Sequence, residues 1–204
     1  MNDKSISLFP LWLKVSYTIL VTAVVVIYWF GYGPLNFLWF SDIALILMVP
    51  ALWFESSLIT SMMVIGVLPY EIYWLADFIT GGHLGGITAY MFGNEIALYL
   101  RLVSLFHLIL PPLLIYTISK LGYNKRALMA QTILSFIVLP LCYFFTDPKE
   151  NTNWVFGPGF IQHTIPGWVY LLCFMIVLPL FGYLPMHFLM IRIKKNKSKA
   201  FQKI

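Results

Sequence analysis

Charge is scarce in this sequence. Asp, Glu, Lys and Arg make up only 10% of the 204 residues, whereas 60% are hydrophobic. Soluble domains carry roughly a quarter charged residues, so this composition excludes a water-soluble globule. Several apolar runs reach about 20 residues, the length that spans a bilayer, and they do not alternate as the strands of a membrane barrel do. The sequence therefore predicts an all-α polytopic membrane protein, a bundle of transmembrane helices.

Cysteine is also scarce, and no cleavable signal peptide is evident. Cys142 and Cys173 both lie inside apolar runs, where free cysteines commonly pack as small hydrophobes, so no structural disulfide is predicted. The polar segment 1–10 is followed by a run long enough to span, without a small-residue cleavage site. The first helix is therefore expected to act as an uncleaved anchor.

The apolar runs predict six transmembrane spans. No repeat, low-complexity segment or soluble domain interrupts them, so we expect one transmembrane domain over residues 1–191, followed by a basic tail over 192–204. The predicted spans are 11–30, 37–54, 58–79, 96–119, 127–145 and 167–191.

The basic residues predict the orientation of the bundle. They lie beside the first span, in the loop between spans four and five, and in the tail, and an even number of spans brings these three regions to one side. Lys and Arg favour the cytoplasmic side, so both termini are expected to be cytoplasmic, in the inner membrane of a bacterium. This pattern is that of membrane orientation and not of a nucleic-acid groove. The residues are Lys4, Lys14, Lys120, Lys125, Arg126, Arg192, Lys194, Lys195, Lys197, Lys199 and Lys203.

Six of the eight acidic residues fall at the opposite, outer end of the predicted bundle. A charged Asp at the centre of a membrane helix costs roughly 2.5–3.5 kcal/mol, and less near the interface. The orientation rule is largely indifferent to Asp and Glu, so topology does not explain their placement, which points to a site. These residues are Asp42, Glu71, Asp77, Glu95, Asp147 and Glu150.

Proline interrupts five of the six predicted spans. Each proline removes a backbone donor and frees a carbonyl, which membrane helices tolerate where neighbours or cavity water satisfy the freed groups. The prolines either kink the helices without further consequence or open a cavity between them. They are Pro50, Pro69, Pro111, Pro112, Pro140, Pro179 and Pro185.

The fourth predicted span carries a polar stripe, Arg101, Ser104 and His107, whose neighbouring members are three residues apart. We expect Arg101 to pair with Asp42, Glu71 or Asp77. Such a pair either fixes helix packing or leaves a forked cation that holds a carboxylate or phosphate of a substrate. Glu71 and Asp77 are six residues apart, so they do not share a helix face and are expected to reach different neighbours.

His107 is either a satisfied packing residue or a catalytic group. Ionisable residues inside a membrane are often functional, and a pKa near neutrality suits general acid–base chemistry. On the catalytic interpretation His107 is the base, Ser41 or Ser104 the nucleophile, and Asp42 orients the imidazole. The predicted substrate-binding residues are Arg101, Glu71, Asp77, Asn153 and Trp154.

A zinc site is the remaining chemical alternative. His83, His107 and His163 all fall at the outer end beside carboxylates, which is enough for three ligands and a water. They come from three separate segments and lack a tight motif such as H-E-x-x-H. No metal or other cofactor is therefore predicted.

The loop 146–166 is the most polar connection. Asp147–Pro148 and the later Gly-Pro-Gly at 157–159 are turn signals, and Trp154 is expected to dip into the membrane interface. The segment is either a structured re-entrant turn or a lid over the acidic site that carries Asp147, Glu150 and Asn153.

Three stretches resemble known families: WFSDIALILMVPALW (39–53), LRLVSLFHLILPPLL (100–114) and TDPKENTNWVFG (146–157). Together they resemble an uncharacterised bacterial family labelled as membrane-associated protein. More distantly, the chain is similar to YwaF-like bacterial membrane proteins and the androgen-induced fatty-acid-ester hydrolases. Those are small six-span bundles with a nucleophile near the start of an early helix and a histidine on a later one. The resemblance implies these roles for Ser41, where that group typically has Thr or Cys, and for His107.

Three functions remain open at this point. The first is an intramembrane lipid ester hydrolase or acyl transferase, which takes membrane lipid as its substrate. The second is a non-enzymatic subunit or assembly factor that binds other membrane subunits. The third is a small-solute or proton-coupled transporter, since kinked helices and intramembrane acids suit an ion path.

Overall fold

The computed structural model describes residues 7–201, with side chains described as far as Lys194, and these residues form helices and loops without a strand. Lys4 and most of the predicted basic tail lie outside the described side chains. The α-helices are α1 (Leu11–Gly31), α2 (Phe40–Trp53), α3 (Ser57–Gly66), α4 (Leu68–Ile79), α5 (Leu98–Val103), α6 (Phe106–Leu121), α7 (Ala127–Phe145), α8 (Gly167–Val177) and α9 (Leu184–Phe201).

Apolar helices of membrane-spanning length make up most of the described chain. Four are long and apolar enough to cross a bilayer, and a fifth is obtained when α3 and α4 count as one broken span. An all-helical, membrane-embedded protein is therefore what the structure supports. The four are Leu11–Gly31, Leu98–Leu121, Ala127–Phe145 and Gly167–Lys194.

The second predicted span, 37–54, is shorter in the structure. A 3₁₀ turn over Pro34–Leu38 precedes α2, and the extended backbone of Trp39 (φ −59°, ψ 134°) separates the two. The 14 residues of α2 rise about 21 Å at 1.5 Å each, which is less than the roughly 30 Å of a hydrocarbon core. The six-span count thus stays a prediction.

The third predicted span is broken in its middle. The chain turns by 50° between α3 and α4 at Val67 (φ −125°, ψ −40°). Pro69 has no N–H to continue the hydrogen bonds of α3 and starts the new helix instead. Gly66, the last residue of α3, lies so close to Gln131 of α7 that a Cβ would overlap the amide.

A second irregularity joins α8 to α9. The segment Leu178–Tyr183 is a π-helix, and the N–H of Leu184 donates to the carbonyl of Pro179, five residues earlier. Pro179 and the following Pro185 lack donors, so the wider turn lets the chain continue through both without an abrupt end.

The bundle has a core of two apolar clusters and two ends that differ in their loops. Side chains of α1, α2, α3 and α6 form one apolar cluster, and those of α7 to α9 form a second. One end carries the loops 80–97 and 146–166, and we call it the cavity end. The other, the tail end, carries the turn at Glu55, which pairs with Lys14 at 3.2 Å, and the loop 122–126, where Lys194 donates to the Tyr123 carbonyl at 3.0 Å.

Candidate functional site

A buried histidine–glutamate pair lies at the cavity end. Nδ1 of His107, in the first turn of α6, is 2.8 Å from Oε2 of Glu71, in the first turn of α4. Only 11% and 3% of these side chains are exposed. Trp74, one helical turn after Glu71, stacks on the imidazole with ring centroids 4.4 Å apart. The carboxylate and the indole therefore fix both the tautomer and the plane of His107.

The pair opens onto a cavity of ≈ 990 Å³. A carboxylate beside Nδ1 accepts a hydrogen bond from its N–H group, so Nε2 of the imidazole is left as the basic nitrogen. Most of the residues predicted for the site, from α2, α4, α6 and the loop 146–166, share this cavity. The ones that line it are Ser41, Asp42, Glu71, Ser104, His107, Asp147, Glu150, Asn153 and Trp154.

Asp42 is a second buried carboxylate of the cavity, but it does not orient His107 as predicted. It is 4% exposed, and its Oδ1 has no hydrogen-bond partner among the described residues. Its Oδ2 accepts a long bond from Asn36 at 3.4 Å. Its place in the first turn of α2 gives it the favourable field of a helix N-terminus. The partner of His107 is Glu71 because α4, bent away from α3, brings Glu71 to α6.

The two candidate serines differ in their hydrogen bonds. The Ser104 hydroxyl lies 2.6 Å from the Tyr28 hydroxyl and donates to the Leu100 carbonyl at 3.1 Å. Ser41 is half-buried, and its hydroxyl has no hydrogen bond within residues 7–194. Neither serine bonds to His107. Of the two, Ser41 has the free hydroxyl.

Arg101 does not form the predicted ion pair. Its Nη1 donates to the Met91 carbonyl at 3.1 Å, and the ion pairs found among the described side chains are Lys14–Glu55 and Glu71–His107. The short 3₁₀ turn Ala89–Met91 places this carbonyl beside the guanidinium. Arg101 therefore ties the loop 80–97 to α5 and does not line the cavity.

Asp77 serves the same loop. Its two carboxylate oxygens accept from the N–H groups of Gly85 (2.6 Å), Gly86 (3.1 Å) and Thr88 (2.7 Å), and from the Thr88 hydroxyl (2.6 Å). It is fully buried and is not part of the cavity lining. Glu71 and Asp77 thus reach different neighbours, as their spacing predicts.

The loop 146–166 covers part of the cavity and is attached to α2. Asn153 donates to the Leu38 carbonyl at 2.7 Å and accepts from the Phe40 N–H at 3.0 Å. Asn151 bridges the loop internally, since it donates to the Gly157 carbonyl and accepts from the Phe156 N–H. Asn153 is therefore a structural bridge as well as a lining residue.

The histidines do not converge on a metal site. Across the part of the chain that the structure describes, no group of three or more His, Cys, Asp or Glu side chains is arranged to hold a metal ion. His83 and His163 lie in separate loops and do not line the cavity.

Aromatic side chains form much of the cavity wall, and of these the sequence predicted only Trp154 as a site residue. Glu71 and Trp74 are three residues apart, as are Trp39 and Asp42, and this spacing is a sequence signal that places an aromatic ring near an acid on the same side of a helix. Further rings come from α4 itself and from three other segments: Tyr28, Tyr32, Trp39, Tyr70, Tyr73 and Tyr90.

Comparison with protein-family models, with curated proteins and with solved structures gave no match. The function must therefore be argued from the geometry and chemistry of the cavity.

Proposed function

We propose that this protein is an intramembrane enzyme that hydrolyses or transfers the acyl group of a lipid ester. The observation that carries the proposal is the buried Glu71–His107 pair facing a cavity. A carboxylate that orients an imidazole is one half of the arrangement that activates a serine, and the free Ser41 hydroxyl lines the same cavity as His107.

In the proposed reaction, a substrate in the cavity brings the Ser41 hydroxyl and His107 into play together. Nε2 of His107 takes the proton of the Ser41 hydroxyl as its oxygen attacks the ester carbonyl carbon. Glu71 stabilises the imidazolium that forms. Collapse of the tetrahedral intermediate breaks the bond to the alcohol, which receives that proton from His107 and leaves an acyl-serine. Water or a second alcohol then attacks the acyl group by the same proton transfers, which gives hydrolysis or acyl transfer.

An apolar groove supports a lipid as the substrate. The groove, of ≈ 410 Å³, is lined by residues of α4, the π-helix and the start of α9. It shares Tyr70, Tyr73 and Trp154 with the cavity, and Phe181 on its rim is 74% exposed. A cavity that holds carboxylates and a histidine beside an apolar groove matches an amphiphile, with its head near His107 and a chain along the groove.

The finer topology belongs to the same proposal. We place both termini in the cytoplasm, with the cavity facing the outer side of a bacterial inner membrane. The support is the distribution of Lys and Arg. The 3₁₀ turn Pro34–Leu38 together with α2 would supply the sixth crossing.

Covalent labelling of the serine tests the proposal. Purified protein in detergent is treated with a fluorophosphonate, which reacts with activated serines, and the labelled peptide is identified by mass spectrometry. We expect labelling of Ser41 that is absent in Ser41→Ala and retained in Ser104→Ala, its matched control in the same cavity. Release of fatty acid from a fluorescent phosphatidylcholine should decrease as the fraction of Ser41 labelled by the fluorophosphonate increases. Fatty-acid release unchanged in His107→Gln would contradict the proposal.

A second candidate is a proton-coupled transporter. The break between α3 and α4 and the π-helix both adjoin the cavity, and discontinuous helices surround the substrate sites of many transporters. Asp42, with its unpartnered oxygen, is the proton-carrying candidate. Proton flux into proteoliposomes that is lost in Asp42→Asn, without any serine labelling of the wild type, would favour this function over the first.

A further inference from the structure

We infer that the cavity binds the ammonium group of an organic amine. The inference names the ligand class of the cavity described above. Binding of the ammonium group depends on the charge and shape of the cavity and not on catalysis. Only the reaction of the bound ligand rests on the proposed function.

The charge of the cavity wall is the first argument. Five carboxylates line the cavity, against one lysine and one histidine, and no arginine is among the lining residues. Arg101, which the sequence offered as a clamp for an anion, is directed to the Met91 carbonyl instead. A phosphate or carboxylate near these groups would be repelled, whereas a cation would be attracted. The lining acids are Asp42, Glu71, Glu95, Asp147 and Glu150.

Asp42 is the second argument, because its carboxylate is nine-tenths buried and incompletely paired. It is 4% exposed, it lines the cavity, and its Oδ1 lacks a partner among the described side chains. Glu71, by contrast, accepts a hydrogen bond from His107. A buried carboxyl takes up a proton unless a cation or several donors offset its lost hydration. A ligand ammonium in the cavity supplies that charge.

The aromatic wall decides which kind of cation fits. Small metal ions need several oxygen ligands, and no three-ligand cluster occurs within the described residues. Aromatic faces bind ammonium groups through their ring quadrupoles, most strongly when water is excluded. Tyr and Trp rings from several segments line the same cavity as the carboxylates, which matches an alkylated ammonium. Among them are Tyr28, Tyr32, Trp39, Tyr70, Tyr73, Trp74 and Tyr90.

Two sources could supply this group. It belongs either to the headgroup of a bilayer lipid, whose chain would follow the adjoining groove, or to a soluble amine. The cavity chemistry is the same for both, so the experiment includes arms that separate them.

Tetramethylammonium is the probe. Trp39 and Trp74 line the cavity, so their fluorescence in detergent-purified protein reports on binding. We expect a saturable change with tetramethylammonium and none with its neutral analogue, tert-butanol. Asp42→Asn should weaken binding at least tenfold, whereas Glu55→Gln, which removes one charge at the tail end, should leave it unchanged. Equal responses to both probes, or wild-type affinity in Asp42→Asn, would overturn the inference.

Two additions complete the test. If Asp42→Asn does not fold, Tyr32→Leu, which removes one partly exposed ring, should weaken binding severalfold and takes its place. In nanodiscs, phosphatidylcholine but not phosphatidylglycerol should compete with the probe if the source is a lipid. Equal binding of tetramethylammonium in the two kinds of nanodisc favours a soluble amine as the source. Either result upholds the ammonium site. If the wild-type protein binds tetramethylammonium but Ser41 is not labelled by the fluorophosphonate, the proposed function is rejected and the ammonium site is upheld.

Discussion

Two buried carboxylate regions of this protein differ in how their charges are satisfied. Asp77 and Asp42 are almost equally buried, at 0% and 4% exposure. Asp77 accepts four hydrogen bonds from the loop 85–88, whereas Oδ1 of Asp42 accepts none from the described residues. Burial alone therefore does not identify a site. A saturated carboxylate stabilises the fold, and an unsaturated one beside a cavity is available to a ligand.

The difference originates in the chain around each acid. The loop after α4 carries glycines at 81, 82, 85 and 86, and Gly86 has a left-handed backbone (φ 77°). This conformation turns successive N–H groups inward to surround an anion. Asp42 instead lies at the start of α2, where it lines the cavity and accepts only the long bond from Asn36 among the described residues.

The largest effect is expected when the saturated carboxylate is removed. Asp77→Ala leaves three backbone N–H groups and the Thr88 hydroxyl without their acceptor, so we expect a loss of about 3 kcal/mol or more. Thermal unfolding in detergent should show it as a large fall in Tm. A near-wild-type Tm would mean that Asp77 does not hold this loop.

The next effect falls on activity. Glu71→Gln keeps the size of the side chain but removes the charge that stabilises a protonated His107. We expect the rate of fluorophosphonate labelling at Ser41 to fall about 100-fold, or ~2.7 kcal/mol in transition-state free energy. Tm should change far less than in Asp77→Ala. If the labelling rate of Glu71→Gln falls only as much as its amount of folded protein, Glu71 stabilises the fold, as Asp77 does, and has no catalytic role.

The unsaturated carboxylate should give the opposite sign in stability. Asp42→Asn removes an incompletely paired buried charge, so we expect the free energy of unfolding of the ligand-free protein to rise by about 1 kcal/mol. Titration with tetramethylammonium should then raise the Tm of the wild type but not of the variant. Destabilisation comparable to that of Asp77→Ala would remove the contrast between the two regions.

The smallest effect is expected at the tail end, where Glu55 is partly exposed. The hydrogen bond from the Ser7 hydroxyl, with help from Lys14 and the Leu8 N–H, lowers the pKa of Glu55 below its ordinary value of 4.5. Its contribution, about 0.5 kcal/mol at this exposure, is complete above that ordinary pKa. It is lost as the pH falls through the lower, folded-state pKa.

Comparison of Tm at pH 7 and pH 4 tests this contribution. The fall in Tm between the two should be slightly smaller for Glu55→Gln than for the wild type. Identical pH dependence of Tm in the two proteins would show that folding does not lower the pKa of Glu55.

The comparison also shows how far the sequence predicts the site. Spacing along one helix was sufficient to separate Glu71 from Asp77, because six residues place them on different faces. The pairing of Glu71 with His107 was not predictable, because it depends on the 50° bend before α4. The position of Arg101 depends likewise on a carbonyl of a distant turn. Helical periodicity in the sequence predicts the helices and their faces. The bends and the positions of loop carbonyls depend on tertiary contacts, which periodicity does not show.

The attachment of the loop 146–166 to α2 has a kinetic consequence. Asn153 completes the hydrogen bonding of both Leu38 and Phe40, so displacing the loop exposes an unpaired carbonyl and an unpaired amide at the same moment. Two coupled losses make the opening of this loop a rare event. We therefore expect the part of the cavity wall that this loop forms to keep its shape while a ligand enters or leaves through the part that the loop does not cover.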